Sequence, residues 1–426
     1  MNIVGIFITL MITLIGINKE RKVYGPLTFF SGFWMILMLL ASLKFFGLYD
    51  SDDLAYVYIT IGVASFCAGC LLMNKIRLSD KSSSNIINET VYNVMMILCI
   101  FSLIYNIRII ISYIFGHYNI SQIYYIMAET NSGEATALSS LYSSWQERLQ
   151  QYIGYPLLYT LVPISIIGYL NEKKKKYLIC SLILCFLRFF IDMRRTFVVI
   201  VITYFVILVV IRLGSKEKPK WLTRKLKRRL AIFIFAFIVV FIYLSTVRRD
   251  ASEVKYSFLY NIYTYYVGSI PYFGQRISLL PSDLHYSFGM TSLRGLFAPI
   301  VAVLGLLGIK EPYLMTLATQ NIESLHNVVL NITPTHKFNS YATVFFEFYL
   351  DGGVMGIIIL SFLFGLISFY LFKKCINFNS ARDQFRYAYF FSIFLSLSVL
   401  HFNGAVVCYI WPFIIERMLF ISEKKE

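Results

Sequence analysis

TFVVIVITYFVILVVI (196–211) and AIFIFAFIVVFIYL (231–244) are uncharged throughout and carry large apolar residues on every side of a helix. A helix that is apolar all round has no face to offer water, so it belongs in a bilayer or deep inside a large core. Between the two runs lies RLGSKEKPKWLTRKLKRR (212–229), the most basic segment of the chain. A strongly cationic connection between two apolar runs has the form of a cytoplasmic loop facing anionic lipid.

Composition extends this reading to all 426 residues. The chain is 58% apolar and 15% charged, with a mean hydropathy of +0.66. A soluble domain of this size exposes far more Lys, Glu and Asp. The net charge of +16 could point to nucleic acid, but the Lys and Arg sit in short segments beside the apolar runs, so no nucleic-acid partner is expected and membrane lipids are. Of the seven cysteines none lies between 248 and 352, which predicts no disulfides there. Cys67-x-x-Cys70 lacks a second ligand pair and reads as small-residue helix packing. The N-terminus MNIVGIF has no basic region ahead of its apolar stretch, which favours a retained first span over a cleaved signal. No repeat with a period of a few tens of residues is visible.

The expected fold is an all-α polytopic membrane protein, a single integral membrane domain over 1–426. Eleven spans are predicted at about 2–17, 26–48, 54–73, 91–114, 151–170, 177–191, 196–212, 230–247, 354–372, 387–402 and 405–421, with ten to twelve open. The last two are separated only by Asn403-Gly404, which predicts a tight helical hairpin. Most of the 39 Lys and Arg fall in one alternate set of connections (18–22, 73–81, 171–176, 212–229, 373–386 and the terminus). The opposite short connections carry only Arg148, Arg194 and Arg195. The positive-inside rule then places the first set and the C-terminus in the cytoplasm, and the N-terminus outside. The long segment 248–352 becomes an external loop. Within it, TSLRGLFAPIVAVLGLLGIK (291–310) is read as half-inserted or interfacial, because a lone crossing would invert everything after it.

That loop is where chemistry is expected, since irregular backbone near lipid is costly without a use. It is rich in Tyr and Phe. Arg248 and Arg249 open it, and Arg276 and Arg294 follow. At its base NSYATVFFEFYLDGG holds Asn339 and Tyr341, then Glu347 and Asp351 at i, i+4, and Gly352-Gly353, which permit a turn or a close approach. Glu347, Asp351 or His336 could serve as a general base; a structural carboxylate or cap is the alternative, and lone His326 and His336 suit structural roles. Arg188, Asp192 and Arg195, with Arg194 beside them, share one side at the outer end of the sixth span. An ion pair that merely marks a helix end competes with function there. Arginine offers a fixed fork to phosphate oxygens, whereas an aromatic belt with snorkelling cations is the plainer reading of the same residues. Asp50-Ser51-Asp52-Asp53 has the form of a metal-holding Asp-x-Asp, but an acidic turn explains it, so no metal is assigned. Lys44, Arg108 and Arg417 read as snorkelling or structural, with Glu416 a candidate partner for Arg417. No phosphate-cradling glycine loop, HExxH, GxSxG or Ser/Lys dyad appears.

In layout and in RFFIDMRRTF (188–197), Arg276, Arg294-x10-Gly305 and NSYATVFFEFYLDGGVMGI (339–357), the chain resembles the bacterial oligosaccharide repeat-unit polymerases, the O-antigen and capsular polysaccharide polymerases of the Wzy type. The resemblance implies a multi-pass protein of the bacterial plasma membrane. It would move a growing glycan from undecaprenyl pyrophosphate onto a newly flipped lipid-linked repeat unit, with no cofactor, beside flippase and chain-length regulator proteins. It places Arg188, Arg195, Arg249 and Arg276 on the leaving pyrophosphate. A flippase or lipid exporter, and an O-antigen ligase, are the alternatives; the first would need cations lining a cavity within the membrane and two similar halves.

Overall fold

The computed structural model describes residues 2–22, 24–78, 85–116, 146, 149–192, 196–213, 258–326, 328–338, 342–378, 380–396 and 406–422. They are overwhelmingly helical. Four helices are long and apolar enough to cross a membrane, Asn2–Glu20, Asp53–Lys75, Tyr152–Glu172 and Val344–Phe378, and Pro26–Ser42, Glu89–Ile104 and Val201–Arg212 are shorter apolar helices. The chain is thus mostly helical, with apolar helices of the length and composition that suit a membrane protein. The chain divides into two compact units: 1–82, 259–379 and 389–410 form the first, and 83–258, 380–388 and 411–426 the second.

In the first unit, α1 (Asn2–Glu20) and α2 (Pro26–Ser42) form a hairpin. Its turn is closed by Glu20, whose carboxylate accepts from the Leu27 and Thr28 amides at 3.0 and 2.8 Å and from the Thr28 hydroxyl at 2.7 Å. Those amides are unpaired at any helix start, so a buried carboxylate from the preceding helix satisfies them. A side chain at Gly25 would collide with that carboxylate. α3 (Asp53–Lys75) is capped by Asp52, which accepts from the Leu54 amide, while Asp50 pairs with Lys44 at 2.6 Å. The acidic turn is thus committed to capping and a surface ion pair.

The main contact in this unit joins α3 to α12 (Val344–Phe378). It is made by small residues. A Cβ on Gly69 would lie 2.2 Å from the Phe362 carbonyl oxygen, and one on Gly365 would lie 2.1 Å from that of Phe66. The Cys70 thiol donates to the Gly365 carbonyl at 3.4 Å, so the Cys67–Cys70 pair belongs to helix packing, as expected.

The segment between the apolar runs is largely ordered helix packed into this same unit. α8 (Phe258–Val267) and α9 (Ser269–Ser278) come first, and α10 (Met290–Leu306) and α11 (Tyr313–His326) form a helical hairpin. Strands β2 (Leu330–Thr333) and β3 (His336–Phe338) pair antiparallel with a bulge. Tyrosines tie these pieces down: Tyr263 donates to the Leu40 carbonyl, Tyr260 meets the Thr333 hydroxyl, and Tyr272 donates to the Val328 carbonyl. Residues 291–310, expected to be half-inserted or interfacial, run as one unbroken helix as far as Leu306.

In the second unit α4 (Glu89–Phe115), α5 (Tyr155–Glu172), α6 (Lys175–Asp192) and α7 (Thr196–Leu213) pack together. A pair of strands, β1 (Asn85–Ile87) and β4 (Phe420–Ser422), joins distant parts of the chain. α13 (Ala381–Ser396) begins six residues ahead of the predicted span, and α14 (Val406–Leu419) follows it; their 381–388 and 411–419 parts belong to this unit and the rest to the first. Glu416, fully buried, binds Arg382 at 2.8 Å and Arg386 at 2.6 Å. The expected partner Arg417 is exposed instead, because position 416 faces α13. Two guanidinium groups from successive turns of α13 match one carboxylate better than a sequence neighbour on the same helix can. The predicted span 230–247 and the turn at Asn403-Gly404 lie outside the described residues.

Candidate functional site

The base of the long segment is organised by a break in α12. Its first turns carry Glu347 and Asp351, both buried, at 4% and 2% exposure. The helix then breaks at Gly352-Gly353, where Gly353 adopts φ +61°, a conformation that favours glycine. The break frees the carbonyls of Leu350 and Asp351, which accept from the Ser287 and Phe288 amides at 3.2 and 2.9 Å. The Asp351 side chain reaches on to the start of α10. One carboxylate oxygen accepts from the Ser287 hydroxyl at 2.6 Å and the Thr291 amide at 2.8 Å. The other accepts from the Ser292 amide at 3.0 Å and its hydroxyl at 2.5 Å.

Asp351 is therefore an N-cap supplied from another helix, a favourable place for a negative charge. Both of its oxygens are engaged by donors, which gives it an architectural role. Glu347, the other carboxylate of these turns, lies one residue along from Phe346.

Arg276 is the most unusual residue of the site. It sits in the last turn of α9 at 1% exposure, and among the described residues no acceptor meets its three guanidinium nitrogens in hydrogen-bond geometry, the Tyr272 phenol being the polar group that acts on it. Gly274 makes this possible: a Cβ there would lie 3.0 Å from Asp52, so α9 closes directly onto the start of α3. The guanidinium carbon lies 5.7 Å from the Tyr272 ring and 5.6 Å from the Phe346 ring. Phe273 and Tyr58 extend this aromatic wall to Tyr349. Burial holds Arg276 below its ordinary arginine pKa, with Tyr272 opposing the shift. Burial likewise raises the Tyr272 phenol above its usual value. Ring quadrupoles attract a cation but do not replace hydrogen-bond acceptors. A desolvated guanidinium without an acceptor is among the costliest features a fold can carry, unless an anion completes it.

Other expected residues are distributed as follows. Arg294 lies half-exposed on α10, in the turn after the Asp351 cap. His336 starts β3 and His326 ends α11, with both side chains outside the described ones. Asn339, Tyr341, Arg194, Arg195, Arg248 and Arg249 lie outside the described residues. Arg188 belongs to the second unit, where its guanidinium stacks 3.9 Å from the centre of the Tyr155 ring. Asp192 ends the same helix, and its side chain is outside those described. The structure thus brings Arg276, Glu347 and Asp351 into one unit. It adds Ser287, Thr291, Ser292, Tyr272 and Phe346, which the sequence reading did not single out. A signal existed for the first three: Ser-Phe-Gly-Met-Thr-Ser ahead of an apolar run has the composition of a helix start. Among the described residues no cluster of three or more His, Cys, Asp or Glu has the arrangement of a metal site. Comparison with protein-family models, with curated proteins and with solved structures finds no match.

Proposed function

We propose that this chain is a membrane-embedded glycan polymerase. In this reading it has eleven spans, an external N-terminus and a catalytic loop at the outer face of the bacterial plasma membrane. The growing glycan, carried on undecaprenyl pyrophosphate, is the donor, and the non-reducing end of a second lipid-linked repeat unit is the acceptor. The observation that carries this is Arg276, a buried guanidinium fork that has only the Tyr272 phenol acting on it and no acceptor in hydrogen-bond geometry among the described residues.

In the transfer, the acceptor hydroxyl oxygen forms a bond to the anomeric carbon of the donor. The bond from that carbon to the pyrophosphate oxygen breaks, and its electron pair leaves with the lipid pyrophosphate. Arg276 neutralises the charge that grows on the leaving oxygens, and a preorganised cation in a dry site does so without reorganisation. Glu347, or His336, takes the acceptor proton. Asp351 positions the start of α10 against the base of the site. The aromatic wall of Tyr58, Tyr272, Phe273 and Tyr349 gives flat apolar faces of the kind that sugar rings stack on.

The test is purified protein in proteoliposomes with lipid-linked repeat units and no nucleotide sugar. Longer glycans are expected, and Arg276→Met abolishes them. Unchanged glycan length with wild-type protein sinks the reading. Movement of the lipid-linked oligosaccharide between leaflets without lengthening assigns the chain to the flippases instead.

A further inference from the structure

The hairpin of α10 and α11 carries a feature that the transfer reaction leaves unused. Leu293, Ile300, Val303 and Leu307 are exposed, Leu307 at 70%, and Leu306 beside it is 72% exposed. At 3.6 residues per turn the first four fall on one side of the helix, in a strip running its full length. Thr291 and Ser292, just ahead of the strip, are buried under the Asp351 carboxylate. Basic residues bracket the strip: Arg294 at its start and Lys310 just past its end, with Tyr313 exposed at the tip.

The base of the hairpin is fixed in place. Asp351 holds the α10 amides, and the Asn321 side chain of α11 donates to the His285 carbonyl at 3.2 Å. Asp351 stands three residues before Val354, where the apolar run of α12 begins. That run exposes Met355, Ile359, Leu363 and Ile367 along one side, the residues a bilayer would cover. The α10 strip therefore starts where the lipid-facing side of a spanning helix starts, and it has the same composition.

We infer that α10 lies in the membrane interface as an in-plane arm, its Leu293–Leu307 strip on lipid acyl chains and Arg294 and Lys310 at headgroup phosphates. An amphipathic helix with cations at its margins binds a bilayer surface in this way. Bilayer lipid is the occupant chosen, over a second copy of the chain, because the strip begins beside the exposed apolar run of α12, and Arg294 and Lys310, with Glu311 next to the latter, leave a net positive margin that suits anionic headgroups. The inference needs the membrane class alone and stands whether or not the protein transfers glycans.

The experiment uses full-length protein in phosphatidylcholine/phosphatidylglycerol vesicles, with an environment-sensitive fluorophore on Val303→Cys, Leu307→Cys or, as control, the exposed Lys337→Cys. Signal from unsubstituted protein, labelled in parallel, is subtracted. Fluorescence at 303 and 307 is expected to be blue-shifted, quenched by spin-labelled lipid and shielded from iodide, with the reverse at 337. Iodide quenching at 303 and 307 equal to that at 337 overturns the inference. So does shielding without lipid quenching that disappears as the protein is diluted in lipid, which assigns the strip to a second copy.

Discussion

Arg276 and Asp351 are both buried and charged, and the fold treats them in opposite ways. Asp351 is saturated by four donors, whereas no acceptor among the described residues meets the Arg276 nitrogens in hydrogen-bond geometry. Replacing a buried unpaired cation by an apolar residue of similar size removes a desolvation cost. Arg276→Met is therefore expected to raise stability by about 1–4 kcal/mol while abolishing glycan elongation. Thermal unfolding in detergent and the proteoliposome assay check the two halves together. A lower melting temperature for Arg276→Met would make the arginine structural and remove it from the site. Asp351→Ala has the opposite signature: it strands the Thr291 and Ser292 amides and should cost about 3 kcal/mol in the same unfolding measurement. The sequence pointed to both residues through charge and position, but not to their difference. The donors that saturate Asp351 lie some sixty residues away, and no local pattern announces a cap supplied by a distant helix.

At the level of elements, the break at Gly352-Gly353 decides where the spanning part of α12 begins and which carbonyls the 287–288 turn can reach. The sequence allowed a turn there, and the positive φ at Gly353 gives the reason. Gly353→Ala meets both a cost of about 1–3 kcal/mol for a positive-φ backbone region almost confined to glycine and a contact 2.9 Å from the Tyr286 hydroxyl. It is expected to lower the melting temperature and to reduce elongation, because the turn that seats α10 shifts with it. A melting temperature equal to wild type would show that the break relaxes without strain. Gly69→Leu should be harsher, since the obstruction is the Phe362 backbone, and loss of folded protein in membrane extracts is the readout. Apolar helices were legible in the sequence because their signal is local. The hairpin of α10 and α11 and the strands β2 and β3 were not, since their partners are distant and a mixed-polarity segment shows no single period.

Over the whole molecule, the proposed orientation of the site in the membrane rests on the charge pattern of the connections. Each Lys or Arg near an anionic surface contributes about 1 kcal/mol, so several basic connections on one side outweigh the few cations on the other. The NEKKKK connection between α5 and α6 is the clearest case: Lys174 pairs with Glu89 and Glu172, yet Lys173 and Lys175 remain exposed for lipid contact. With that connection in the cytoplasm and β3 outside, Lys337→Cys should react with a membrane-impermeant maleimide in intact cells. Lys173→Cys should react only after permeabilisation. This pair is decisive because the two residues are exposed and predicted to lie on opposite sides. The reverse pattern would put Arg276 and Glu347 at the cytoplasmic face. There, nucleotide sugars rather than flipped lipid-linked units are the donors at hand, and the polymerase reading would fall while the lipid-facing strip of α10 stood.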